Sequence, residues 1–166
     1  VGVEVVAADS IISYGSSQGI PLTTAKYFAT GTMTAMLIGY VIGIFSIPKY
    51  LKQEKALMLS AVFGIIFSLL AIFTSGYVSL AFVALLGLAN ALMWPAIWPL
   101  ALADMGRFTK AASSLLVMGI AGGAIIPLAY GALADSWDAR SAYWIMIPCY
   151  LFILYYAASG HKIRKV

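Results

Sequence analysis

The chain has 166 residues, of which 63% are hydrophobic and only 10% charged. A soluble domain carries about 25% charged residues, so a water-soluble enzyme is excluded and an integral membrane protein is indicated. The net charge of +4 lies in short basic stretches between apolar segments, not on one basic face, which argues against nucleic acid as a partner. The apolar segments are too long and too regular for barrel strands of ~10 residues. The fold class expected is an all-α membrane protein.

Six spans are expected, at about residues 1–14, 24–47, 56–74, 78–103, 111–133 and 142–159. The first falls short of the ~20 residues that cross a bilayer. It is therefore expected to be truncated at its N-terminal end, in a chain that is part of a longer polypeptide. Gly15 to Pro21 reads as a turn outside the membrane. In the second span Gly31, Ala35, Gly39 and Gly43 recur every four residues, a small-residue stripe that lets another helix approach closely. Pro48 and the basic loop from Lys49 to Lys55 end that span. The third contains one glycine and no proline, and reads as a plain peripheral helix. Its start opens an uncharged run from Ala56 to Ala103. At ~1.5 Å per residue that run crosses a ~30 Å hydrocarbon core twice.

The fourth span is the least ordinary. Its segment from Leu88 to Leu100 combines an amide, Asn90, with Trp94, Pro95, Trp98 and Pro99. Each proline removes a donor to the carbonyl four residues earlier. Lipid cannot satisfy a freed carbonyl, so this backbone should face other helices or a wet cavity. Asn90, Trp94 and Trp98 are spaced i, i+4, i+8, which predicts one amide and two rings along one side of a helix. That pattern suits a small polar ligand, and suits core packing with an interfacial tryptophan equally well. In the fifth span Gly119 and Gly123 are four apart and Pro127 frees another carbonyl, a pattern of close packing or hinging. His161 stands alone near the end of the sixth span, and no Cys–His metal site can be assembled.

Lysine and arginine set the orientation. Lys49, Lys52, Lys55, Arg107, Lys110, Lys162, Arg164 and Lys165 fall on one side, and only Lys26 and Arg140 on the other. The positive-inside rule places the lysine-rich side and the C-terminus in the cytoplasm. Glu4 and Asp9 are the acids well inside a span. Glu4 lies ~16 Å below the helix end at Gly15 and Asp9 ~9 Å. A carboxylate at such depth costs at least ~2.5 kcal/mol unless paired or wet. Glu4 is a candidate for hydrogen-bonding substrate, and Glu4 and Asp9 for carrying a proton. The plainer alternative is an ion pair with a helix outside the chain.

Ala29 to Met33, Gly87 to Leu100, Asp104 to Lys110 and Val117 to Pro127 resemble segments of the bacterial sugar–proton symporters of the fucose and glucose/galactose permease type, in the major facilitator superfamily. The resemblance covers nearly the whole chain, in the order of that family's seventh to twelfth helices. It implies the C-terminal six-helix bundle of a twelve-helix fold, with sugar bound near the midplane between two bundles. The first, second, fourth and fifth spans would then line the cavity. Trp94 is similar to the family's cavity aromatic before the tenth-helix proline, and Glu4 to a polar seventh-helix position. The carboxylates that the family uses for proton coupling in its N-terminal bundle have no counterpart here.

The resulting expectation is proton-coupled uptake of a hexose-type sugar by alternating access in a bacterial inner membrane, with no enzyme activity. Glu4, Asn90, Trp94 and Trp98 would contact sugar, and protons would be the coupling ion, with no cofactor and no metal. Gly31, Gly39, Gly43, Pro95, Pro99, Gly119, Gly123 and Pro127 would serve packing and hinging. The partners expected are the sugar, the lipid bilayer and a missing N-terminal bundle. A drug or organic-solute exporter on the same fold is the alternative, and a membrane enzyme or a purely structural bundle fits less well.

Overall fold

The computed structural model describes residues 1–47 and 49–163. Pro48, expected to end the second span, and Arg164 and Lys165 of the basic tail lie outside the described residues. Every regular element among the described residues is helical. The first span comprises α1 (Gly2–Asp9) and α2 (Ile11–Ser17). They are followed by α3 (Leu22–Ser46), α4 (Gln53–Phe73), α5 (Gly76–Asn90) and α6 (Met93–Leu102). Next come α7 (Thr109–Met118), α8 (Gly122–Ser136) and α9 (Met146–Ala158). Five stretches are long and apolar enough to cross a membrane: α3, α4, α5–α6, α7–α8 and the stretch Ser141–Lys162 containing α9.

The breaks within spans have local causes. Ser10 separates α1 from α2 because its hydroxyl donates back to the Val6 carbonyl at 2.5 Å, a contact that bends helices. The chain stays helical through Gly15 to Ser17, where a turn was expected, because Gly15 is buried and packs against Ala25 and Leu80. Pro95 and Pro99 carry no N–H, and the helix is interrupted at Ala91–Leu92, four residues before Pro95. Between α7 and α8 the turn Gly119–Ala121 tightens to a 3₁₀ geometry.

Packing centres on α5, which lies against α3, α4 and α1, while α4 also meets α6 and α9 and α1 meets α8. Small residues set the approach. A Cβ on Gly87 would fall on the Thr32 carbonyl, and one on Gly64 would fall on the Tyr150 ring. Gly39 and Gly43 of the predicted stripe face Leu88, Ala91 and Leu92, while Gly31 reaches only Ala84 at 4.0 Å. The third span departs from its sequence reading as a plain peripheral helix. In α4, 44% of the most apolar stretch is buried, against 17% in α3. Its small residues Ala56, Ser60, Ala61, Gly64 and Ala71 let neighbours close on it.

Candidate functional site

The first helix carries both intramembrane acids to one place. Glu4 and Asp9 line an open groove of about 340 Å³ with Val1, with Val5 and Ala8 of α1, and with Met33 and Met36 of α3. Five helical residues separate the acids by ~140°, yet both border the groove, which is broad and open. Asp9 is exposed and Glu4 half-buried. Among the described residues neither carboxylate makes a hydrogen bond or an ion pair. A charge so placed needs water, a proton or a ligand, and the walls around it are apolar. The two methionines, which sequence reasoning missed, add polarizable surface that adapts to varied shapes. No periodicity marks them, since α3 is apolar nearly all round.

The aromatic stretch resolves differently from its helical spacing. Trp94 and Trp98 do come together, with ring centroids 5.6 Å apart and planes inclined by 59°. Asn90 is held apart from them, inside the bundle. Its side chain is 1% exposed, its Oδ1 accepts a hydrogen bond from Tyr150 Oη at 2.8 Å, and its Nδ2 donates to the Val3 carbonyl at 3.4 Å. A buried amide without partners would be costly, so this one ties α5 to α9 and α1. In this bundle the Asn90 side chain is directed at Tyr150 and Val3. Neither tryptophan lines the Glu4 groove. Pro95 instead borders a cleft of about 190 Å³ with Tyr40 and Gly43 of α3.

The hinge candidates divide into two groups. Pro99 lies inside α6 and Pro127 inside α8. Gly123 packs on Val1 and Val5, whereas nothing lies within 4 Å of the Cβ direction of Gly119.

At the lysine-poor end, three buried tyrosines form a cluster that the sequence did not reveal. The Tyr143 ring stands edge-on to Tyr14 at 5.0 Å and to Tyr130 at 5.2 Å. The Ala71 carbonyl accepts from Ser79 at 2.6 Å and from Tyr14 at 3.2 Å, and the two hydroxyls share a hydrogen bond with each other at 2.5 Å. Ser10 spends its proton on Val6, so Tyr143 donates to Ser10 at 2.7 Å. Tyr130 donates to the Ala139 carbonyl at 3.1 Å. Each ring is thus apolar in body and satisfied at its tip. The tyrosines come from three different spans, and nothing local in the sequence links them. Beside them Asp138 Oδ1 accepts the N–H groups of Arg140 and Ser141, both at 2.9 Å. Its carboxyl is held below the ordinary range, chiefly by hydrogen bonds from Ser141.

At the lysine-rich end His161 is not isolated. Its Nε2 lies 3.1 Å from Glu54 Oε2 and its Nδ1 3.0 Å from the Tyr156 carbonyl. Both ring nitrogens face oxygen atoms, which ties the end of α9 to the start of α4.

This arrangement has known counterparts. The chain is 33% identical over 165 residues to the glucose/galactose transporter of Brucella abortus, covering 98% of this chain and 40% of that protein. It is 29% identical over 161 residues to the L-fucose–proton symporter of Escherichia coli, covering 95% of this chain and 36% of the other. The crystal structure of FucP, a major facilitator superfamily transporter in the outward conformation, superposes with a TM-score of 0.89 at 25% identity, over 99% of this chain and 40% of that one. The chain therefore shares its fold with that part of a major facilitator superfamily transporter. No family model matches the sequence. The chain spans about 40% of the length of the glucose/galactose transporter that it matches. These relatives are named as a transporter and a symporter.

Proposed function

We propose that this chain is the C-terminal bundle of a proton-coupled transporter for a hexose-type sugar, and that the sugar enters the Glu4 groove. The observation that carries the reading is the Glu4 carboxylate. It sits deep in a span, half-buried in an apolar groove, without a partner among the described residues. Relatives named for glucose/galactose and for L-fucose with a proton give that carboxylate a use. Glu4 accepts hydrogen bonds from sugar hydroxyls or holds the coupling proton, with Asp9 nearer the water as a relay. Trp94 and Trp98 lie outside the groove itself, and in this reading they meet the apolar side of a ring that extends beyond it toward α6.

In this reading the groove faces a second six-helix bundle, and the two rock about a central site. Sugar and proton bias the rocking only through different affinities for the two states. No further cofactor is required. The lysine-rich loops and the C-terminus lie in the cytoplasm of a bacterium, with the bundle in its inner membrane.

The test is sugar-driven proton entry into proteoliposomes holding the full-length transporter that carries this segment. Glu4→Gln is expected to abolish proton entry, with sugar exchange retained if Glu4 carries the proton. Trp94→Ala is expected to raise the half-saturating sugar concentration by about tenfold, from a stacking contact worth about 1.4 kcal/mol. Wild-type protein that moves no hexose, or variants indistinguishable from it, would overturn the proposal.

A further inference from the structure

The lysine-rich end of α4 has features that sugar transport does not use. Two grooves flank it, of about 230 Å³ and about 300 Å³. The first lies between α3, α4 and α5, with Ile42, Ser60, Phe63, Phe67 and Leu88 in its walls. Phe63 and Phe67 stack at 5.8 Å along its α4 side. The second lies between α4 and the end of α9, with Met58, Ala157 and Ala158. Leu51 and Leu59 line both and form the ridge between them. On α3, Ile42 is six residues from Met36 and so ~120° around the helix. The first groove therefore opens on a different face of α3 from the Glu4 groove, away from the proposed sugar path.

The mouth of the grooves is basic. Lys49, Lys52 and Lys55 are exposed there, and Lys55 and Lys162 border the second groove. Glu54 is the one acid among residues 49–55, and it is turned to His161 at 3.1 Å. Glu54 also lines the second groove, beside Lys55 and Lys162, so the basic side chains outnumber it there. No side chain caps α4 at Lys52, so the N–H groups of the first turn add positive potential at the same point. Lys49 Nζ lies 5.2 Å from the centre of the exposed Tyr50 ring, a pair of the kind that settles among lipid headgroups.

We propose that this end of α4 binds one anionic glycerophospholipid. Its phosphate lies at Lys52 and Lys55 beside the first turn of α4, and its two acyl chains lie in the two grooves astride the Leu51–Leu59 ridge. A soluble phosphate would leave the grooves unused, and a zwitterionic lipid would leave the lysines unopposed. Basic pockets between helices on the cytoplasmic side recognise anionic headgroups by this combination of charge and apolar cover.

The proposal is tested by native mass spectrometry of the full-length transporter carrying this segment. The protein is equilibrated with phosphatidylglycerol or phosphatidylcholine of identical chains, and retained lipid is counted. Wild-type protein is expected to hold phosphatidylglycerol about tenfold better than phosphatidylcholine. Lys52→Gln and Lys55→Gln, both at exposed positions that do not threaten the fold, each lower phosphatidylglycerol retention by about fivefold and leave phosphatidylcholine unchanged. Ile42→Trp, which fills the first groove from a half-exposed site, lowers both lipids. Lys110→Gln, at the same end but outside the grooves, changes neither. Equal retention of the two lipids by wild-type protein would overturn the proposal. So would a loss from Lys110→Gln as large as that from Lys52→Gln, or phosphatidylglycerol retention that Ile42→Trp leaves intact.

Discussion

The stretch Gly76–Leu102, spanning α5 and α6, and the stretch Gly106–Ser136, holding α7 and α8, have the same mean hydropathy, 1.9. Yet 56% of the most apolar part of the first is buried, and none of the second. Hydropathy moves a segment out of water, but a bilayer is as apolar as a protein interior. What brings helices together inside it is shape and hydrogen bonding. The first stretch has both. Gly87 admits the Thr32 backbone, Ser79 and Asn90 hold hydrogen bonds to other spans, and Leu80, Val83 and Leu86 interlock in the core. In the second, Gly119, Gly122 and Gly131 meet nothing within 4 Å, and Leu115, Met118, Ile125 and Leu128 are exposed. In the proposed transporter those open glycines face the other bundle, where sliding matters more than tight packing.

Substitutions can break or sharpen this contrast, read as unfolding midpoints of the full-length transporter in detergent. The largest effect is expected from Gly87→Ala. Its Cβ would meet the Thr32 carbonyl, which is backbone and cannot swing aside, so α3 and α5 must part at a cost of about 3 kcal/mol. Tyr150→Phe comes next. It leaves Asn90 Oδ1 buried without its donor and is expected to cost about 2 kcal/mol. Tyr14→Phe removes one hydroxyl from the cluster with Ser79 and is expected to cost about 1 kcal/mol. Gly119→Ala should stay within about 0.5 kcal/mol of wild type, because nothing in the bundle meets its new methyl. A loss there as large as that at Gly87 would erase the contrast.

The smallest effect concerns pH. Asp138 has a folded-state pKa below the ordinary value. Its contribution is therefore present above the unfolded pKa of about 3.9 and is lost as pH falls through the lower, folded value. Between pH 5 and 7 the midpoint should not respond to this group. Below about pH 4 the wild type should lose a small increment that Asp138→Ala has already lost.

The membrane class, the five long apolar stretches and the short first one were legible in the chain because they depend on composition summed over many residues. The candidate acids were legible for a similar reason: a carboxylate in an apolar run stands out without any knowledge of neighbours. Trp94 and Trp98 meet as their spacing implied, since i and i+4 are adjacent on any helix. What Asn90 would bind was not legible, because its partners Tyr150 and Val3 are 60 and 87 residues away. The same holds for His161 with Glu54, and for Tyr14, Tyr130 and Tyr143. The depth of α4 in the bundle also escaped, since small residues look alike whether they face lipid or a neighbouring ring. Local spacing decides which residues share a helix face. Only tertiary packing decides what that face meets, because in a membrane the hydrophobic pattern no longer separates inside from outside.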